Sequence, residues 1–301
     1  MTSTPHPHPP NPPARPLSPV ALVSTAGHCK IACGFCLRAD RAHGFLALPT
    51  YTRALSRLKD IGVEGICLTG GEPAHHPDLR QLIRLAHQFG ILVSVITSAR
   101  DSQDTERLAG LAPLLANVTV SADSAGAMEL GRTTRSVSSA LATLKQVHAA
   151  QQILHLTYWR LTDQECQDVY RLVEGSGYEL QLSPVALDAT GRRRAGFDLT
   201  GYLAQHRADA DLLSRHLQLT PRFLQYLSKQ RAVYLHPERV RRCASLTLYV
   251  SADGVVRRCP YSTHGVSVFA PRAEIRRFLA TETEDQTIPE CVAICRAAES
   301  C

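Results

Sequence analysis

The run Val20-Ala-Leu-Val-Ser-Thr-Ala-Gly-His-Cys-Lys-Ile-Ala-Cys-Gly-Phe-Cys36 decides how the rest of the chain reads. Its start, Val20 to Ser24, is an apolar stretch of strand length. Cys29, Cys33 and Cys36 follow within eight residues. Three thiolates on one short loop can hold three corners of an iron–sulfur cube and leave the fourth iron open. Ligation by cysteine alone suits iron–sulfur clusters or zinc. The spacing differs from the ferredoxin runs, which supply four cysteines per cluster. On this loop alone, zinc or a set of buried thiols stays open.

A second stretch narrows the choice. Glu64-Gly-Ile-Cys-Leu-Thr69 reads as a short buried strand that runs into Gly70-Gly71-Glu72-Pro73. Two glycines let the backbone approach a ligand closely. Glu72 can accept a hydrogen bond from an ammonium, and Pro73 stiffens the exit. Alone, this could be an ordinary Gly-Gly turn between a strand and a helix. Both motifs, in this order and about one βα unit apart, resemble the radical S-adenosylmethionine (SAM) superfamily. Its signatures are C-x3-C-x2-C, with an aromatic residue (here Phe35) before the last cysteine, and GGEP at the end of the second strand. The resemblance implies a [4Fe–4S] cluster on Cys29, Cys33 and Cys36. It also implies that Gly70, Gly71, Glu72 and Pro73 form the edge that binds the amino group of SAM.

Composition sets the outer bounds. A chain of 301 residues is long enough for one large domain or two modest ones. No apolar run approaches the ~20 residues that span a bilayer, so no membrane partner is expected. Residues 1–18 are rich in proline and lack the pattern of a signal peptide, so they read as a disordered tail. His6 and His8 within it are candidate metal ligands. Ten cysteines without a secretion signal point to metal sites rather than disulfides, hence to a cytoplasmic, oxygen-sensitive protein. The net charge is +6, with basic groups at Arg192 to Arg194, Arg241-Arg242, Arg257-Arg258 and Arg276-Arg277. That suits an anionic substrate or an acidic peptide, and equally a solvated surface. No basic stripe carries interleaved aromatics, so no nucleic-acid partner is expected.

In chain order, six strand-like segments alternate with helix-like ones. Thr50 is read as the cap of the first helix, with Ala54, Leu55, Leu58 and Ile61 at helical spacing and Gly62 ending it. Leu79, Leu82, Ile83, Ala86 and Phe89 form the apolar stripe of the second. Thr162 and Glu165 spell a capping box. Short connections between βα units argue for a parallel sheet with helices outside it. The resemblance implies the α/β fold of the superfamily, a (β/α)6 partial TIM-type barrel, over residues 19–186. Residues 187–235 read as a helical linker.

In parallel barrels the chemistry collects at the carboxyl ends of strands. Here those ends carry the cysteine loop, the Gly-Gly edge, Thr97-Ser98, Ser121-Ala-Asp123 and Tyr158-Trp-Arg160. The resemblance implies that Thr97, Ser98, Ser121, Asp123 and Arg160 contact the carboxylate and ribose of SAM. For the hydroxyls the alternative is a bond to their own backbone. Trp159 either packs or lines the substrate cavity.

Residues 236–301 form a separate cysteine-rich module. Leu246 to Ser251 and Val255 to Cys259 flank Asp253-Gly254, the strongest short hairpin signal. Cys243 and Cys259 bracket that hairpin, and Cys291, Cys295 and Cys301 follow. Five thiols on so short a segment point to a metal. The pattern resembles the twitch or SPASM-like extensions of radical SAM enzymes. It implies one auxiliary [4Fe–4S] cluster on Cys243, Cys259 and Cys295, with Cys291 and Cys301 competing for the fourth place. Zinc is the alternative.

The resemblance implies an oxidoreductase that cleaves SAM reductively to a 5′-deoxyadenosyl radical, which takes hydrogen from an unreactive C–H bond. A reducing donor such as flavodoxin or ferredoxin would supply the electron. The expected substrate is a small polar natural-product intermediate, dehydrogenated with the auxiliary cluster as electron acceptor. The alternatives are a maturase acting on a precursor peptide and a non-catalytic metal protein. Fewer than twenty residues precede the first strand, which weighs against an amino-terminal peptide-recognition domain. No general base is identified.

Overall fold

The structure is a computed structural model that describes residues 19–27, 29, 33–36, 44–187, 189–236, 247–260, 262 and 264–281. Strand β1 (Val20–Ala26) is followed by helix α1 (Leu48–Asp60), β2 (Gly65–Gly70), α2 (Leu79–Gln88), β3 (Leu92–Thr97) and α3 (Ser102–Ala109). Then come β4 (Asn117–Asp123), α4 (Ala125–Gly131), α5 (Val137–Leu144), β5 (Gln151–Tyr158), α6 (Asp163–Val173) and β6 (Glu179–Pro184). Helices α7 (Ala189–Arg194), α8 (Leu199–His216) and α9 (Pro221–Leu235) follow. The last elements are β7 (Tyr249–Val250), β8 (Val255–Arg257), β9 (Val266–Ser267) and α10 (Arg272–Ala280).

The strands form one sheet in the order β6-β5-β4-β3-β2-β1-β7-β8-β9. Neighbours from β1 to β6 pair in parallel. Each crossover carries helix, which parallel strands require. The sheet does not close: β6 and β1 lie apart in it, and the free side of β1 is taken by β7. This is the open barrel expected of the sequence. The carboxyl-terminal hairpin adds to that same sheet, because β7 pairs in parallel with β1 before turning back into β8. α10 is fastened to α1 as well: Arg272 pairs with Asp60 at 2.6 Å and Arg276 donates to the Asp60 carbonyl at 2.8 Å.

Local chemistry explains most boundaries. The α2 stripe Leu79, Leu82, Ile83 and Ala86 is buried against the sheet. Thr162 and Glu165 make the expected capping box on α6. Helix α1 starts before Thr50, at Leu48. Pro49 fits the first turn because no carbonyl there awaits its missing N–H. Helix α4 was not expected, since Gly126 and Gly131 lower helix propensity within its seven residues. Ser124 caps it by accepting from the Ala127 N–H at 3.2 Å.

Of the three helices after β6, α8 packs on α6 and α9 on α8. Tyr202, His206, Asp209, Leu212 and Leu213 of α8 are buried. The Asp209 carboxylate accepts the Arg160 and Leu161 N–H groups at 3.0 and 2.9 Å, tying α8 to the end of β5. Trp159 is buried and stacks on Tyr202 with centroids 5.2 Å apart, so it packs. Among the described residues, no helix is long and apolar enough to cross a membrane.

Candidate SAM and cluster site

A cavity of about 420 Å³ opens at the carboxyl ends of β1 to β6. Cys29, Cys33 and Cys36 face it from the loop after β1, and Gly70 and Gly71 from the end of β2. Thr97, Ser98 and Ser121 line it too, from the ends of β3 and β4.

The cysteine loop is docked by α4. The Gly34 N–H donates to the Gly131 carbonyl at 2.8 Å, and the Cys36 N–H to the Cys33 carbonyl at 3.0 Å. The Phe35 ring lies where a side chain at Gly131 would be, so glycine there is a condition of docking. Phe35 packs against the end of α4 and also lines the cavity. Burial pushes the Cys33 thiol up to about 11, with nearby Arg135 opposing the rise. Among the described residues no three donors converge at metal distance. The donor set nonetheless fits a cluster: three sulfurs on one loop share one cavity beside a glycine edge and an arginine.

The Gly-Gly edge is packed tightly against β1. Gly70 has φ of +113°, and a Cβ there would meet the Ser24 hydroxyl and the Ala26 carbonyl. The Gly71 N–H donates to that carbonyl at 2.6 Å. Pro73 opens a single 3-10 turn, and the buried Glu72 caps it by accepting from the Ala74 N–H at 3.1 Å. Glu72 also accepts from the Thr97 hydroxyl at 2.6 Å, the Ser98 N–H at 2.8 Å and the Ser98 hydroxyl at 2.6 Å. A carboxylate offers about four acceptor sites, so the chain fills them all. An ammonium could reach Glu72 only by displacing one of these bonds. Glu72 is also absent from the cavity lining; it braces the end of β3 against the end of β2.

Asp123 is likewise bonded within the chain. It is buried and accepts both Nε and Nη2 of Arg135, at 2.8 and 2.5 Å, together with the Thr133 hydroxyl. Arg135, not Asp123, lines the cavity. Sequence reasoning missed it, because it sits in an irregular turn between α4 and α5 with no local pattern. Arg160 is not brought to the cavity: its φ is +50° and its guanidinium lies 5.1 Å over the Phe197 ring. His155, Thr157, Gln181 and Ser183, the polar wall from β5 and β6, were missed as well. Period-two alternation could have found two of them, since His155 and Thr157 interleave with buried Leu154, Leu156 and Tyr158.

Cys259 is buried just past β8. Because β7 runs parallel to β1 and β8 runs back, the chain after Arg257 heads toward the amino-terminal end of β1. That is the end of β1 opposite the cysteine loop. Cys243, Cys291, Cys295 and Cys301, Arg241-Arg242, and His6 and His8 lie outside the described residues. Cys67 and Cys166 are buried and do not line the cavity.

The chain is thus an α/β protein whose open parallel barrel carries three thiols and a glycine edge on one cavity at the carboxyl ends of its strands. The model of the radical SAM superfamily matches residues 23–173, half of the chain, and the protein belongs to that family. Among curated relatives, the PqqA peptide cyclase of Ruegeria pomeroyi is 38% identical over 85 residues, 27% of this chain and 23% of that one. The PqqA peptide cyclase of Rhodopseudomonas palustris is 37% identical over 108 residues, 34% of this chain and 28% of that one. The matched region thus spans about a quarter of these relatives. Among solved structures, Streptococcus suis SuiB bound to precursor peptide SuiA superposes with a TM-score of 0.60 at 14% identity, covering 88% of this chain and 65% of that one. The structure of anSMEcpe with AdoMet and the Cp18Cys peptide gives 0.56 at 13% identity, covering 93% and 94%. At such identities the likeness is one of fold.

Proposed function

We propose that this chain is a radical SAM enzyme that modifies a peptide. The observation that carries the reading is the company it keeps: the similar sequences are named as peptide cyclases, and SuiB and anSMEcpe were solved with peptides. This favours the maturase alternative over the small-metabolite dehydrogenase that the sequence reading put first. Cys29, Cys33 and Cys36 would hold the [4Fe–4S] cluster and leave one iron for SAM. When bound, cluster and SAM supply hydrogen-atom abstraction from an unactivated carbon. The chain's own part is placement. Gly70 and Gly71 allow close approach, Glu72 fixes Thr97 and Ser98, and Asp123 aims Arg135 at the cavity.

In this reading Cys243, Cys259 and Cys295, with Cys291 or Cys301, would hold an auxiliary [4Fe–4S] cluster that could serve as electron acceptor for a net oxidation. A flavodoxin or ferredoxin would supply the first electron. The small-metabolite reading keeps one observation in its favour, the polar wall of β5 and β6. The test is anaerobic reconstitution followed by SAM, dithionite and a messenger-RNA-display library of acid-rich peptides. Expected are 5′-deoxyadenosine and peptides lighter by two hydrogens. Turnover of aminocyclitols or sugars with no altered peptide would replace this reading with the metabolite one.

A further inference from the structure

We propose that Arg135, clamped by Asp123, sets how readily the cluster on Cys29, Cys33 and Cys36 accepts an electron. The proposal rests on the cluster reading above and is independent of what the substrate is.

Arg135 gives Nε and Nη2 to the two oxygens of Asp123, at 2.8 and 2.5 Å, and Thr133 gives its hydroxyl to one of them. Paired bonds of this kind fix the plane of the guanidinium as well as its position. The main chain closes the same turn. The Asp123 N–H donates to the Arg135 carbonyl at 2.6 Å, and the Thr133 N–H to the Met128 carbonyl at 2.9 Å. A buried ion pair adds little stability over apolar side chains of similar volume. The charges here therefore call for a use other than holding the turn.

The pair is oriented. Arg135 lines the cavity with Cys29, Cys33 and Cys36, whereas Asp123 is buried behind it and does not. The charge of Arg135 reaches both Cys33 and Cys36. At Cys33 it outweighs the opposite charge of Asp123. The stretch that carries Arg135 also docks the cysteine loop, because the Gly131 carbonyl takes the Gly34 N–H at 2.8 Å. Sulfurs and guanidinium are thus held to one frame, and their separation is a property of the fold.

Reduction adds one electron to a group that three thiolates already make anionic. Arginine stays charged throughout, so no proton moves at the clamp. A fixed cation in a partly buried site favours the added charge and is little screened by salt. Local charge and burial are among the factors that set the potential of an iron–sulfur cluster. The positive end of the pair raises that potential, and the negative end behind it trims the gain.

The experiment is a redox titration of the reconstituted full-length chain followed by EPR, with dithionite as reductant and no SAM. The signal read is the one lost when Cys29, Cys33 and Cys36 are replaced together by alanine. Arg135→Gln should lower its midpoint by about 59 mV, a tenfold weaker reduction equilibrium for one electron. Asp123→Asn strips the cation of its counter-charge and should raise the midpoint by a similar amount. Arg135→Lys keeps the charge and should stay within about twofold of the wild type in that equilibrium. A charge effect requires opposite signs in the first two variants, which damage to the fold would not produce. Shifts of the same sign, an unmoved midpoint in Arg135→Gln, or equal shifts in Arg135→Gln and Arg135→Lys overturn the proposal. Should Arg135→Gln hold no iron, Asp123→Asn decides alone: a raised midpoint supports the proposal and any other result overturns it. A wild type without the signal overturns the cluster reading, and this proposal with it.

Discussion

Glu72 shows how much of a motif residue can be spent on holding the fold together. Its carboxylate takes four hydrogen bonds from Ala74, Thr97 and Ser98, and it is buried. In Glu72→Gln one oxygen becomes an NH₂ that faces donors. A buried donor left unsatisfied costs about 1–3 kcal/mol. The ligand-free variant should therefore lose about that much stability in urea titration, and affinity for S-adenosylhomocysteine should fall roughly tenfold as the end of β3 loosens. A residue that only held the ammonium of SAM would leave ligand-free stability unchanged, so the urea midpoint separates the two roles. His206 carries a second residue-scale expectation. It is buried among Trp159, Tyr202 and Tyr234, and among the described residues its Nε2 has no hydrogen-bond partner. Desolvation, helped by the charge of Arg231, lowers its pKa to about 4. The folded value lies below the unfolded one, so the unfolded chain takes the proton first. The stability is whole above about pH 6.5 and is lost as pH falls from there to about 4, by up to about 1.4 kcal/mol per unit. Urea midpoints across that window should show the slope, and His206→Phe should flatten it.

Helix α4 is the element on which the cysteine loop depends. It presents Gly126 to the Trp159 carbonyl and Gly131 to the Phe35 ring, and neither position has room for a Cβ. Gly131→Ala should lift Phe35 and with it the Gly34 bond to the helix end. Reconstituted iron and sulfide per chain should drop by roughly half or more, with SAM cleavage falling in step. The double variant that also trims Phe35 to alanine should regain iron, because the clash is gone; if it does not, the helix end acts otherwise. The same helix marks the limit of what the sequence makes legible. Period-two and period-3.6 patterns gave β1 to β6, the α2 stripe and the α6 capping box, since each is a local consequence of burial. The C-x3-C-x2-C and Gly70-Gly71 motifs marked the cavity, since backbone approach and thiolate ligation each need particular residues at fixed spacing. Helix α4 escaped because its two glycines are there for tertiary contact, which local propensity scores as a penalty. Arg135 escaped because it sits in an irregular turn with no local pattern, and Gln181 and Ser183 because they reach the cavity only where β6 lies beside β5.

At the scale of the whole molecule, β1 lies between the cysteine loop and Cys259. The cysteine loop leaves its carboxyl end, while β7 pairs along its free side and β8 carries the chain back to Cys259 near its amino end. Six residue steps along a strand make a separation of roughly 20 Å. Sites so far apart, with no shared ligand, should load and fail independently. The wild type should then hold about eight irons with matching sulfide after reconstitution, the content of two [4Fe–4S] clusters. Cys259→Ala should bring this to about four while reductive cleavage of SAM continues. Replacing Cys29, Cys33 and Cys36 together with alanine should also leave about four irons and abolish cleavage. Cleavage in the second protein, or zinc in place of iron in the first, would mean that the two ends of β1 do not divide the work in this way. About four irons in the wild type, all lost with the early triplet, would leave Cys259 a buried thiol of the hairpin and make the product's electron leave by another path.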